Sequence, residues 1–108
     1  MQVQSTIADG FIIVTVQGRV DTITAGDFEA KVKVLTENEI TKMIIDCTEL
    51  EYISSSGLRV FLIIQKKINA RGGMLRLCCM QPAIKEIFDI SGFSNIFKIF
   101  TDLASAKA

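Results

Sequence analysis

Three consecutive hydroxyls, Ser54, Ser55 and Ser56, stand directly before Gly57 and the apolar run Leu58-Arg59-Val60-Phe61-Leu62-Ile63-Ile64. A polar turn feeding such a run reads as a helix start, where the first backbone N–H groups lack intrahelical acceptors and a serine oxygen can supply one. A cap needs one serine, and here there are three. The same helix end carries the positive pole of the peptide dipoles and welcomes phosphate, so capping and phosphoryl acceptance are both open to these alcohols. Nucleophilic catalysis is not: the chain has no histidine, which removes a Ser-His pair, a His general base and the usual histidine-containing zinc site.

Cys47, Cys78 and Cys79 are the remaining candidates for chemistry. They lie in apolar, strand-like segments without CxxC spacing, and neighbours in a strand point to opposite faces. Cys78 and Cys79 are therefore expected to be small core residues rather than a disulfide or a ligand pair, as suits a reducing compartment. No cofactor and no metal are expected. Neither a GxxxxGK[ST] loop nor a GxGxxG turn is present, which argues against nucleotide chemistry.

Twelve Lys and Arg balance twelve Asp and Glu, so no net field attracts nucleic acid or anionic lipid. The start, Met1-Gln2-Val3-Gln4-Ser5-Thr6, lacks the basic and apolar regions of a signal peptide, and the longest apolar runs are too short to cross a bilayer. A cytoplasmic protein is expected, with no nucleic-acid partner and no direct membrane insertion. At 108 residues, 49% hydrophobic and with one proline, the chain fits a single domain over 1-108.

The elements that must position the serines follow from periodicity. Gln2 to Ile7 alternates, Ala8-Asp9-Gly10 is a hairpin-type turn, and Phe11 to Val16 is a β-branched strand. Gln17 to Thr24 is then expected to leave the sheet, with Thr24 capping a helix that buries Phe28, Val32 and Leu35 and exposes Glu29, Lys31, Lys33 and Glu37. Met43 to Cys47 reads as a central strand and the segment up to Ser54 as a polar turn. In the following helix Leu58, Phe61, Leu62 and Ile68 face the sheet, Val60 and Ile64 flank it, and Arg59, Ile63, Lys66 and Lys67 form the outer row. Ile63 is an apolar residue among cations there, consistent with a partner surface. A Gly72-Gly73 stop, a strand from Met74 to Cys79, a Pro82-started helix with core residues Ile84, Ile87 and Phe88, a Gly92 cap, a strand over Ile96 to Phe100 and a short helix after Thr101-Asp102 complete the chain. Strands joined through helices imply parallel pairing and right-handed crossovers, with sites at the carboxyl ends of the strands. Asp21 and Thr22 would then lie near Ser54 to Gly57.

The run Asp46-Cys47-Thr48-Glu49-Leu50-Glu51-Tyr52-Ile53-Ser54-Ser55-Ser56-Gly57-Leu58-Arg59-Val60 resembles the signature of the STAS domain in bacterial anti-sigma factor antagonists. Gly18, Asp21, Thr24-Ala25, Gly72-Gly73 and Pro82 to Phe93 extend the resemblance over nearly the whole chain. It implies an α/β STAS fold: a mixed, mostly parallel sheet of four to five strands with an N-terminal β-hairpin and about four helices. It implies a regulator, not an enzyme, that binds an anti-sigma factor serine kinase while unphosphorylated, frees the sigma factor, and is switched off by serine phosphorylation and restored by a serine phosphatase. The acceptor position corresponds to Ser55. Many family members carry Asp just before the acceptor, where this chain has Ser54. Asp21 matches an acidic family position and, with Thr22, Ser54, Ser56, Gly57, Arg59 and Ile63, is assigned to partner binding; an Asx turn is the purely local role open to Asp21. The alternative within the resemblance is a non-phosphorylated STAS adaptor subunit of a lipid or anion transport system.

Overall fold

The computed structural model describes residues 1–37 and 42–108. Strands β1 (Gln2–Ala8) and β2 (Phe11–Val20) pair antiparallel with Ala8 opposite Phe11. Asp9 and Gly10 turn the chain, with φ of 54° and 81°. Asp-Gly suits a two-residue hairpin because both positions need positive φ, which glycine adopts freely and Asp tolerates.

β3 (Lys42–Asp46) is parallel to β2 and to β5 (Met74–Cys78), and β5 is parallel to β6 (Lys98–Phe100), giving the order β1-β2-β3-β5-β6. β3 is thus central, and Met43, Ile44 and Ile45 are all fully buried. Alternate residues of β2 serve two layers. Ile12, Val14 and Val16 join the large core under helices α1 (Ala25–Thr36), α2 (Ser55–Ala70) and α3 (Pro82–Ile90), whereas Phe11 and Ile13 join a small core on the other face.

The small core is closed by α4 (Leu103–Lys107), whose Ala106 is buried against Ile44 and Cys78. Asp102 caps this helix by accepting from the Ser105 N–H at 2.7 Å. Arg76 secures the other end: its Nη1 donates to the carbonyls of Ala106 and Ala108 at 2.6 and 2.7 Å while the guanidinium stacks near Phe11 and Phe100.

The expected architecture is present, with local corrections. β2 does not end at Val16. It passes a register shift between Gly18 (φ 95°) and Arg19 and pairs in parallel with an additional strand, β4 (Leu50–Ile53). β4 was expected to be a turn because its four residues, buried only at the two ends, show no alternation. Long-range pairing makes it a strand, and Arg19 lies 4.3 Å over the Tyr52 ring on its outer side. Among the described residues the sheet accordingly has six strands. Val60 and Ile64 are core rather than flanking residues, because α1 packs along α2, and Leu62 is only half-buried. The last strand begins at Lys98, after a 3₁₀ turn over Phe93–Asn95 that follows the left-handed Gly92.

Helix α2 ends as its glycines dictate. Gly72 is left-handed, its N–H donates to Asn69 O, and that of Gly73 donates to Ile68 O, which satisfies the last carbonyls. Phe61, in mid-helix, is the hub of the large core, with ring centroids 5.5 Å from Phe28, 5.7 Å from Phe88 and 6.5 Å from Phe97. Phe61→Ala should therefore lower the unfolding free energy by about 3–5 kcal/mol, read as a reduced midpoint in urea denaturation. A loss under about 1 kcal/mol would remove Phe61 from that position.

Candidate functional site

Parallel pairing of β2 with β4 builds the site. Val20 lies opposite Ile53, and the Ser54 N–H donates to Val20 O at 2.9 Å. The two chains leave the sheet side by side, one into the Asp21 loop and α1, the other into the serines and α2. The expected nearness of Asp21-Thr22 to Ser54–Gly57 at the carboxyl ends of strands is observed.

Asp21 organises its loop. One carboxylate oxygen accepts from the Ile23 N–H at 3.0 Å and the Thr24 N–H at 3.1 Å, and the other lies 3.7 Å from Arg19 Nε. The Thr24 backbone N–H, foremost among these donors, holds the Asp21 carboxyl below the usual carboxylate range. The Asx turn weighed for this residue thus exists. Thr24 precedes α1 but does not cap it with its side chain. Its backbone is already helical (φ −99°, ψ −12°), and its hydroxyl accepts from the Asp21 N–H and donates to Arg19 O at 2.8 Å. Thr22 and Ile23 are exposed at the loop tip.

The three serines differ. Ser54 is extended (ψ 177°), and its Oγ accepts from the Gly57 N–H at 3.3 Å, so this is the capping residue. Ser56 is half-buried and turned toward α1, and Ser55 is exposed. Gly57 explains why the helix can begin here. A Cβ on it would sit 2.7 Å from Ile53 Cγ1, 2.8 Å from Val20 O and 2.9 Å from Val20 Cγ1. The first turn of α2 rests directly on the ends of β2 and β4.

Ser56, Arg59, Val60 and Ile63 of α2, with Ala25 and Glu29 of α1, line an open groove of about 380 Å³. Ile63 is half-buried in its wall rather than on a bare outer row, because α1 rises beside it. Arg59 is exposed and stands one turn after Ser55, the i, i+4 spacing at which helix side chains meet. Sequence reading missed the α1 wall, taking Glu29 for solvated surface. The signal was the one-turn spacing of Ala25 and Glu29, which puts both on the α1 face that meets α2.

A family model described as the STAS domain matches residues 2–106. A Bordetella bronchiseptica protein provisionally named anti-sigma factor antagonist BtrV is 36% identical over 100 residues, covering 93% of this chain and 86% of that protein. The anti-sigma-B factor antagonist of Listeria monocytogenes is 32% identical over 88 residues, covering 82% of this chain and 77% of the relative. In fold, the chain superposes with a TM-score of 0.90 on the crystal structure of a Thermotoga maritima protein provisionally described as an anti-sigma factor antagonist, at 22% identity, covering 96% of this chain and 90% of that one.

Two glycines provide opposite tests of the site's packing. Gly57→Ala should destabilise the protein by about 1–3 kcal/mol through overpacking against Val20 and Ile53. Gly26→Ala, in the first turn of α1 with nothing outside the helix's own backbone and adjoining residues within 4 Å of the added methyl, should stabilise it by about 0.5–1 kcal/mol through helix propensity. Chemical denaturation measures both, and a Gly57→Ala variant as stable as the parent chain, or more so, would refute the close approach at Gly57.

Proposed function

The chain belongs to the STAS domain family, and from that premise we propose that it is an anti-sigma factor antagonist whose docking is switched off by a phosphate on Ser55. It binds an anti-sigma factor of the serine-kinase type through the groove and the Asp21 loop, releasing the sigma factor. The kinase returns it to the inactive form by phosphorylation, and a serine phosphatase restores it. Such an exchange takes place in the cytoplasm; among the described residues no helix is long and apolar enough to cross a membrane.

The observation that carries the choice of acceptor is the division among the serines: Ser54 is committed to the cap, Ser56 faces the groove, and Ser55 is exposed. Ser54 in place of a preceding Asp leaves this chain without a local anion at that position, while its neutral oxygen still caps the helix. A phosphate on Ser55 adds roughly −1.5 to −2 charges and three acceptor oxygens. In the free protein the helix N-terminus and Arg59, one turn on, balance that charge with no change of fold. Against a partner surface shaped for a hydroxyl, the same group must be desolvated next to the anionic Asp21 loop. A penalty of about 3–4 kcal/mol weakens the complex by roughly 100- to 1000-fold.

Ser55→Ala should keep partner binding and take up no phosphate from the kinase and ATP, as read by mass spectrometry, and Ser55→Asp should bind more weakly in titration calorimetry. Phosphate on Ser54 or Ser56 instead would overturn the acceptor assignment. Ile63→Glu tests the groove: it should reduce partner affinity with little change in melting temperature, since Ile63 is only half-buried. A large fall in melting temperature would make Ile63 a core residue and defeat the docking role.

A further inference from the structure

The three cysteines follow or end β3 and β5 at their carboxyl ends, and none lines the α1–α2 groove. Asp46 and Cys78 are paired across the parallel ladder, the Cys47 N–H donates to Cys78 O at 2.9 Å, and the Cys79 N–H donates to Phe100 O at 3.2 Å. The expected alternation fails at Cys79. Its φ is 64°, left-handed, which is uncommon for a residue bearing a Cβ. The two thiols, which strand geometry would have put on opposite faces, instead converge. One sulfur each from Cys78 and Cys79 and a carboxylate oxygen of Asp46 all lie within 4.8 Å of one another. Cys47 stays apart, in the large core, with its Sγ 3.7 Å from Ile45 O.

We infer that Asp46, Cys78 and Cys79 form a binding site for one divalent cation of the zinc class, held by two thiolates and one carboxylate. Backbone strain of this kind costs on the order of 1–3 kcal/mol and persists where the surroundings require it. Here its effect is to aim a second sulfur at the first. Zinc binds thiolate at about 2.3 Å and carboxylate at about 2.0–2.2 Å in a tetrahedron, which sets ligand atoms roughly 3.5–4 Å apart. Closing the present spacing onto a cation therefore needs only small side-chain rotations.

The carboxylate is already oriented. Asp46 Oδ1 accepts from the Thr48 N–H at 3.0 Å and from Thr48 Oγ1 at 2.6 Å, which leaves the other oxygen for the cation. Two sulfurs exclude calcium and magnesium, which take oxygen ligands, and select a softer ion. Cys78 is fully buried, whereas Cys79 and Asp46 are half-buried and form the entrance. On binding, the two thiols release their protons to solvent, and a water completes the fourth position.

The test uses the full, reduced chain. Titration with Co²⁺ should produce thiolate-to-cobalt charge-transfer absorption saturating at one equivalent, which Zn²⁺ then displaces, and bound Zn²⁺ should protect two of the three thiols from a disulfide reagent. Loss of a mere supporting partner costs roughly 10- to 100-fold in metal affinity, so Cys79→Ser and Asp46→Asn should each weaken Zn²⁺ binding by at least about 100-fold and Thr48→Val by about 10-fold. Metal-free Cys79→Ser should keep the wild-type melting temperature; if it does not, Asp46→Asn and the wild-type titration decide. Absence of the charge-transfer band, or unchanged affinity in Asp46→Asn, overturns the site.

Discussion

The contact between the first turn of α2 and the ends of β2 and β4 is the constraint around which this protein is arranged. Val20 and Ile53 occupy the space where a side chain at position 57 would go, and Val20 O is engaged by the Ser54 N–H. Only glycine fits there, so the helix start is fixed to the sheet at van der Waals distance. The cap, the loop after β2 and the groove toward α1 inherit their positions from that contact. In this sense the site is a continuation of the core, built where β2 leaves one ladder and joins another.

Much of this arrangement is legible in the residues. The Asp-Gly hairpin, the buried run Met43-Ile44-Ile45, the glycine stop at 72–73, Pro82 at a helix start and the Gly92 cap all rest on local chemistry, and local chemistry decides them. What escaped reading depends on pairing across long distance. β4 carries no alternation, and its strand character comes from the end of β2, thirty-odd residues earlier. Thr24 carries the residue type of a cap, yet its hydroxyl is drawn into the Asp21 turn because its own backbone is already helical. Glu29 looks like solvated surface until α2 lies beside it. Cys79 looked like an ordinary strand residue, and nothing in its neighbours signals a left-handed φ.

The candidate site was legible to the level of its segments, not its division of tasks. Three serines before a glycine announce a helix start with oxygens to spare, but which serine caps depends on the ψ of Ser54 and the direction of its Oγ. Asp21 was open to a local or a partner-binding role. The structure gives it three organising contacts, and its carboxylate remains charged at the loop edge in any case, because donors of the turn favour the ionised form.

Ser54 and Gly57 hold the helix end, and the exposed alcohol between them has no part in the packing. A group with no mechanical duty can be esterified and released again without loosening the folded chain or baring apolar surface. Chaperones and proteases respond to unfolded molecules, so copies of this protein carrying either form would have the same lifetime, and a signal written at that position could be erased and rewritten without new synthesis.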